Sequence, residues 1–326
     1  MVEGFCGVAA APGQVSYGAL DFEGMKVPVV VARGRAEGPT LLVTGLQHAT
    51  EFSGPAAVDG ALSALDLAAL RGTLLGLPVA NPIQLSYSFE QHSAAHARPE
   101  TNLNRQWPGD AASANQFSRL AALLWREAVA RSWALVDFHC CRSIDPRFAA
   151  AAEGHAPGEA LARAVRLDAV DLQTAESYAP GLLFVHAARD LGIPAILVES
   201  YPGGFQIREA VEACTAVIMR ALAHLGMLER WEPPARPAPA AAPVFRRAEK
   251  ATEIRCRTAG YVAPRLWAGE RVAKGQTVGV VRSLETFAAV EELVSPIDGA
   301  VACVGDPAGG GLVKADAAAA IVKRAE

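Results

Sequence analysis

The sequence predicts an α/β domain followed by a smaller all-β domain, and three observations carry that expectation. Short apolar runs of buried-strand type alternate with helical patterns as far as about residue 230. A proline-rich stretch then interrupts the pattern. Beyond it the texture changes to short alternating stretches separated by glycine turns.

The strand-like runs are Leu41–Thr44, Thr73–Ala80, Ala134–Phe138 and Ala195–Val198. Between them, residues 54–70 read as a helix. Phe117, Leu120, Leu124 and Ala128 recur at helical spacing, as do Val211, Cys214, Ile218, Leu222 and Leu225. Alternation of this kind predicts a largely parallel or mixed sheet. In such sheets functional sites gather at the carboxyl ends of strands. His48, His139 and Glu199 each sit just after a predicted strand.

Residues 232–243 read EPPARPAPAAAP, with five prolines in twelve positions. That density excludes regular helix and sheet interiors and favours an extended linker. The expected division is therefore a first domain over 1–231, a linker over 232–243 and a β domain over 244–326. Within the β domain, AGYVAPRLWAGERVAKGQTVGVV (259–281) and DGAVACVGDPAGGGLVKADAAAAIV (298–322) align loosely. An internal repeat of small β units predicts a compact barrel or sandwich.

Composition narrows the function classes. The chain has 326 residues, 51% of them hydrophobic and 20% charged, so a sizeable core can be buried. The formal net charge is -4 and no basic run suggests nucleic acid or an anionic membrane surface. The start, MVEGFCGVAAAPGQ, lacks the basic and apolar regions of a signal peptide. No stretch reaches the roughly 18 apolar residues of a membrane span. The six cysteines (Cys6, Cys140, Cys141, Cys214, Cys256 and Cys303) form no C-x-x-C pair or dense framework. A cytoplasmic protein with reduced thiols is expected.

The chemistry concentrates in four stretches. TLLVTGLQHATEFSGP places His48 and Glu51 three residues apart, where a helix start would turn both toward one ion. The same pair also reads as a histidine near a turn with a glutamate that the helix dipole favours. ALVDFHCC puts Asp137 and His139 on one side of a strand, so His139 is a candidate third ligand. His92 and His96 form an alternative H-x-x-x-H pair in a loop-like setting, and Cys140 and Cys141 are alternative soft ligands or simply small buried residues. RPETNLNRQWPGD (98–110) groups arginines with asparagines, which suits either a solvated loop or the grip of a carboxylate. AILVESYPGG ends a strand on Glu199, which is either salt-bridged or opens into a cleft.

Taken in order, GLQHATE, NLNRQWPG, DFH and VES resemble the succinylglutamate desuccinylase/aspartoacylase family of the zinc carboxypeptidase clan. The resemblance covers roughly residues 25–325 and includes the linker and the β-rich ending. It implies a zinc-carboxypeptidase-like mixed sheet flanked by helices. It also implies one zinc ion per chain, held by His48, Glu51 and His139. Glu199 matches the general base that takes a proton from zinc-activated water. Asn104 and Arg105 match the pair that binds the substrate carboxylate, and Arg98 matches the arginine that stabilises the oxyanion. At Asn102 the family usually has Asp, which supports a ligand histidine; an amide keeps the hydrogen bond and loses the charge.

The implied activity is hydrolysis of the amide bond of a small N-acyl amino acid to a carboxylate and a free amino acid. A metallocarboxypeptidase acting on peptides and a non-catalytic zinc-binding protein are the alternatives. The expected partner is the small-molecule substrate, with no nucleic acid and no membrane, and a homo-oligomer is left open. The C-terminal segment also resembles the biotinyl/lipoyl carrier fold. The attachment lysine is missing, because Leu284-Glu285-Thr286-Phe287 is followed by Ala288 and Lys274 lies elsewhere. A barrel-sandwich domain without a prosthetic group is the expectation.

Overall fold

The structure is a computed structural model. It describes residues 4–85, 98–140, 146–174, 177, 179–200, 207–234, 251–305 and 311–324. The chain divides into two compact units, residues 1–203 with 209–232 and residues 204–208 with 233–326. Most of the proline-rich stretch lies outside the described residues.

The first unit is built on one eight-stranded mixed sheet. Its strands are β1 (Gln14–Phe22), β2 (Met25–Arg33), β3 (Ala36–Thr44), β4 (Arg71–Leu77), β5 (Ala134–Cys140), β6 (Phe148–Ala152), β7 (Ala169–Gln173) and β8 (Ala195–Ser200). They lie in the order β1-β2-β4-β3-β5-β8-β6-β7. The central strands β4, β3, β5 and β8 are mutually parallel. β1 and β2 form an antiparallel hairpin that continues onto β4. At the other side β6 runs antiparallel to β8 and parallel to β7. The helices are α1 (Ser53–Ala64), α2 (Gln116–Glu127), α3 (Ala156–Ala164), α4 (Leu183–Leu191) and α5 (Arg208–His224).

All four strands expected from the sequence are present, and the reason is burial. Residues 134–139 of β5 are all buried, the continuous apolar pattern of a strand covered on both faces. The strands that the sequence does not announce are the outer ones. β6 reads FAAAA, a composition favouring helix, yet β8 and β7 hydrogen-bond it on both sides and bury Ala149–Ala152. Sheet context overrides propensity there. The helix expected over 54–70 ends at Ala64, and Leu67–Leu70 turn back toward β4 through a bond from Leu70 N to Asp66 O. Among the described residues, no helix is long and apolar enough to cross a membrane.

Cys6 joins a core cluster of the first unit at 2% exposure. Burial pushes its thiol up to about 12, Glu127 adding to the effect and Arg131 opposing it. The thiolate is the reactive form. At pH 8 native Cys6 is therefore expected to alkylate roughly 10³-fold more slowly than an ordinary thiol, given the roughly three-unit gap in pKa. Pulse labelling with iodoacetamide and peptide mapping measures this; labelling as fast as in the denatured chain contradicts it.

The second unit consists of β9 (Thr252–Arg255), β10 (Gly260–Pro264), β11 (Arg271–Val272), β12 (Thr277–Arg282), β13 (Ala289–Val294), β14 (Gly299–Val304), β15 (Leu312–Val313) and β16 (Ala318–Lys323). They form two four-stranded sheets, β13-β12-β10-β15 and β11-β14-β16-β9. Exchanging β9–β12 with β13–β16 converts one sheet into the other. The loose repeat in the sequence is thus a structural repeat, in which each copy keeps its second and fourth strands in one sheet and lends its first and third to the other copy's sheet. The two share a core of Ile254, Val262, Val278, Val281, Leu293 and Val301, among others. Where a carrier would display its lysine, the turn between β12 and β13 is tied down. Phe287 is fully buried and stacks on Tyr261 at 5.8 Å, and the Arg282 guanidinium donates to Phe287 O at 3.0 Å.

Candidate metal centre

His48 and Glu51 lie between β3 and α1, in a stretch folded tightly back on itself. A Cβ on Gly45 would come within 2.6 Å of the Gly54 Cα, and one on Gly54 within 2.4 Å of the Gly45 Cα. Only two glycines permit this approach, and it closes the loop between them. Backbone bonds from Gly45 N to Leu77 O, Ala80 N to Gly45 O and Asn81 N to Leu46 O tie the loop to the segment after β4. Glu51 N donates to His48 O at 3.2 Å, so a turn brings the two side chains to one side. The expected helix start is corrected here: α1 begins at Ser53, after both residues.

His139 is supplied by β5, in register with Glu199 on β8. Two hydroxyls hold its backbone, with Ser53 Oγ and Ser200 Oγ donating to His139 O at 3.0 and 3.1 Å. His48, Glu51 and His139 are all buried, and their ligand atoms lie within 4.8 Å of one another. Glu51 Oε1 is 3.0 Å from His48 Nδ1, and Oε2 is 2.9 Å from His139 Nδ1. The two Nδ1 atoms are 3.2 Å apart.

The far side of each ring explains what its near side offers. His48 Nε2 lies 3.0 Å from Asn102 Oδ1, which also accepts the Asn104 backbone N–H at 2.9 Å. His139 Nε2 lies 3.0 Å from Asp137 Oδ2. Both partners are acceptors, so each ring donates from Nε2 and, when neutral, turns the lone pair of Nδ1 toward the other. Two lone pairs and a carboxylate at about 3 Å repel unless a positive charge lies among them. The charge balance agrees. Burial acts to raise the Glu51 carboxyl, but the two imidazoles overcome it and hold it well below the usual carboxylate range. Burial opposes a charge on His139, but Asp137 and Glu51 draw its pKa well above the usual histidine value. Two imidazole nitrogens and a carboxylate are a donor set for a divalent cation with further positions left open.

The remaining candidates fall around this triad. Glu199 is half-buried beside His139 in the sheet, with its Oε2 shut off from solvent. Asn104 is buried. Its Nδ2 lies 3.2 Å from His139 Nε2, and its Oδ1 accepts from Leu183 N at 2.9 Å. Arg105 is half-buried, donates to Asn104 O at 2.6 Å, and has its pKa drawn down by burial. The backbone ahead of α4 approaches it closely: a Cβ on Gly181, at φ +76°, would meet Arg105 O at 2.3 Å. Arg98 is exposed ahead of the turn Pro99–Thr101, and the described contacts run through its backbone carbonyl. Cys140 is not among the converging donors; its thiol donates to Ser53 Oγ at 3.4 Å, and burial pushes its pKa well up. His92, His96 and Cys141 lie outside the described residues.

Thr44, Gln47 and Trp107 escaped sequence reasoning. Thr44 Oγ1 donates to Asp137 Oδ1 at 2.6 Å and Gln47 Nε2 to Asp137 Oδ2 at 2.7 Å. Trp107 Nε1 donates to Gln47 Oε1 at 2.9 Å. The available signal was a polar residue, Gln47, three positions after the end of a buried strand.

Comparison with known proteins agrees with this geometry. The family described as "Succinylglutamate desuccinylase/Aspartoacylase catalytic domain" matches residues 37–225, more than half of the chain. No curated protein matches the chain in sequence. Among solved structures, a succinylglutamate desuccinylase from Silicibacter sp. TM1040 is similar over 100% of both chains, with 21% identity and a TM-score of 0.55. A succinylglutamate desuccinylase/aspartoacylase from Rhodobacter sphaeroides is similar over 96% of both chains, with 24% identity and a TM-score of 0.52. The product-bound ectoine utilization protein EutE (DoeB) from Ruegeria pomeroyi is similar over 97% of this chain and 98% of its own, with 20% identity and a TM-score of 0.54. At these identities the structures speak for the fold. The matched span holds both the parallel core of the sheet and the His48/Glu51/His139 triad, and on it the chain belongs to the succinylglutamate desuccinylase/aspartoacylase family of hydrolases.

Proposed function

We propose that the protein is a zinc-dependent deacylase that hydrolyses the amide bond of small N-acyl amino acids. The observation that carries this reading is the convergence of His48 Nδ1, His139 Nδ1 and the Glu51 carboxylate, with Glu199 beside His139 in the sheet. The two imidazoles and the carboxylate are borderline donors of the kind zinc takes in hydrolases with an open position. Bound there, zinc supplies a Lewis acid that polarises a carbonyl and lowers the pKa of water.

The chain's own residues have the following roles. Glu199 accepts a proton from the attacking water and returns it to the leaving amine. Its half-buried place in register with His139 supports this, because it sets the carboxylate beside a ring of the donor triad. Arg105 pairs with the substrate's carboxylate, and Asn104 shares that subsite, held in place by the Leu183 backbone N–H that its Oδ1 accepts. Arg98 is assigned to stabilising the oxyanion. Asn102 keeps the hydrogen bond to His48 without the negative charge that the family usually places there. The β-rich segment after the linker is a barrel-sandwich domain without a prosthetic group, a reading supported by the tied-down turn at Phe287.

The test is a hydrolysis screen of N-acetyl, N-succinyl and N-formyl amino acids, with dipeptides alongside, using zinc-loaded protein. Release of a free amino acid from at least one acyl series is expected, and it should stop after chelation and resume with zinc. Protein that takes up no stoichiometric divalent metal, or that cleaves only peptides, overturns the reading.

A further inference from the structure

Gln47 belongs neither to the donor triad nor to the substrate subsite, yet it is fully buried between them. Its side-chain amide bridges two groups from distant parts of the chain. Trp107 Nε1 lies 2.9 Å from Oε1, and Asp137 Oδ2 lies 2.7 Å from Nε2. Its backbone carbonyl accepts from Asn81 Nδ2 at 2.8 Å, which holds the residue in place. An indole N–H can only donate, and an ionised carboxylate can only accept. One orientation of the amide satisfies both, with oxygen toward the indole and nitrogen toward the carboxylate. Reversed, it would set donor against donor and acceptor against acceptor in a buried site, which is costly on both sides.

Asp137 is the group through which this matters. It is fully buried, and its Oδ2 is shared between Gln47 Nε2 and His139 Nε2. Its Oδ1 accepts from Thr44, its register partner at the end of β3. Two donors three residues apart, Thr44 on one oxygen and Gln47 on the other, fix the plane of the carboxylate. That plane sets the direction in which His139 donates, and so the aim of His139 Nδ1.

We propose that Gln47 is a positioning residue that orients His139 at the metal-binding triad through Asp137, with Trp107 deciding which way the Gln47 amide points. The proposal rests on reading the triad as a zinc site. It joins the stretch carrying Asn104 and Arg105 to a metal ligand by a continuous chain of buried hydrogen bonds, Trp107 to Gln47 to Asp137 to His139. Outer partners of ligand imidazoles typically account for 10–100-fold in metal affinity.

The experiment is a double-variant cycle on the full-length protein, read as the zinc dissociation constant by competition with a chromophoric chelator. Gln47→Met fills the same space without the amide and is expected to weaken zinc binding by about 10-fold. Trp107→Phe removes only the indole donor and should weaken it in the same direction. The double variant should bind zinc no more weakly than Gln47→Met alone, because the indole acts only through the amide. Zinc affinity within twofold of the unaltered protein in Gln47→Met overturns the proposal, as do losses that simply add. Should Gln47→Met fail to fold, Gln47→Leu takes its place. It can neither accept from Trp107 nor donate to Asp137, and wild-type zinc affinity in it is equally fatal. An unaltered protein that takes up no zinc removes the triad reading and this proposal together, a result distinct from a variant that behaves like the parent.

Discussion

Glu199→Gln is expected to lower kcat by about 10³-fold, within the roughly 10²–10⁴-fold that a positioned general base contributes. The amide matches the carboxylate in shape and cannot accept the proton. Zinc affinity should stay within a few-fold of the parent protein, because Glu199 is not among the converging donors. KM should change little, because the carboxylate-binding subsite is assigned to Asn104 and Arg105. The comparison therefore separates chemistry from binding. Full activity in Glu199→Gln removes the base from this residue. Loss of zinc together with activity would instead make Glu199 part of the metal site.

Glu51→Ala is expected to abolish stoichiometric zinc binding at micromolar metal and to reduce hydrolysis to background. Glu51 contributes the only carboxylate of the triad, between two imidazole nitrogens at 3.0 and 2.9 Å. Without it, two rings face the ion and the one carboxylate among the converging donors is gone. The loss should exceed the roughly 10–100-fold that removal of an outer partner costs. Equilibrium dialysis with metal analysis measures it, and the protein should remain folded by circular dichroism. If Glu51→Ala retains zinc at the parent affinity, Glu51 is a bystander and the donor set has been misassigned. Glu51→Ala and Glu199→Gln should thus fail differently, one without metal and the other with it.

The elements legible in the sequence were those with one dominant cause. β3, β4, β5 and β8 are continuous apolar runs because both faces are covered, and burial writes itself into composition. β6 was illegible because alanine carries no strand preference, and its two neighbours made it a strand. β1 and β2 form a hairpin at the other side of the sheet, and no apolar run marks β1, whose residues are mostly half-exposed. The repeat in the β-rich segment was visible as rhythm. Its meaning, a reciprocal loan of strands between two sheets, depends on pairings between residues far apart in sequence.

The same division runs through the site. By itself the sequence determined the donor types, their order, the strand ends that carry His139 and Glu199, and the absence of an H-E-x-x-H helix. Those follow from local patterns, because a ligand at a strand end is read from the strand. Only the tertiary structure decided that β3, β5 and β8 are adjacent and parallel, which places Glu199 in register with His139 across about 60 residues of chain. It also decided that a turn, and not a helix, unites His48 with Glu51, because Gly45 and Gly54 cross at contact distance. And it revealed Gln47, Thr44 and Trp107 around Asp137. A buried hydrogen bond is chosen by geometry after the backbone has folded, and a glutamine seeking a partner looks the same in sequence as one facing water.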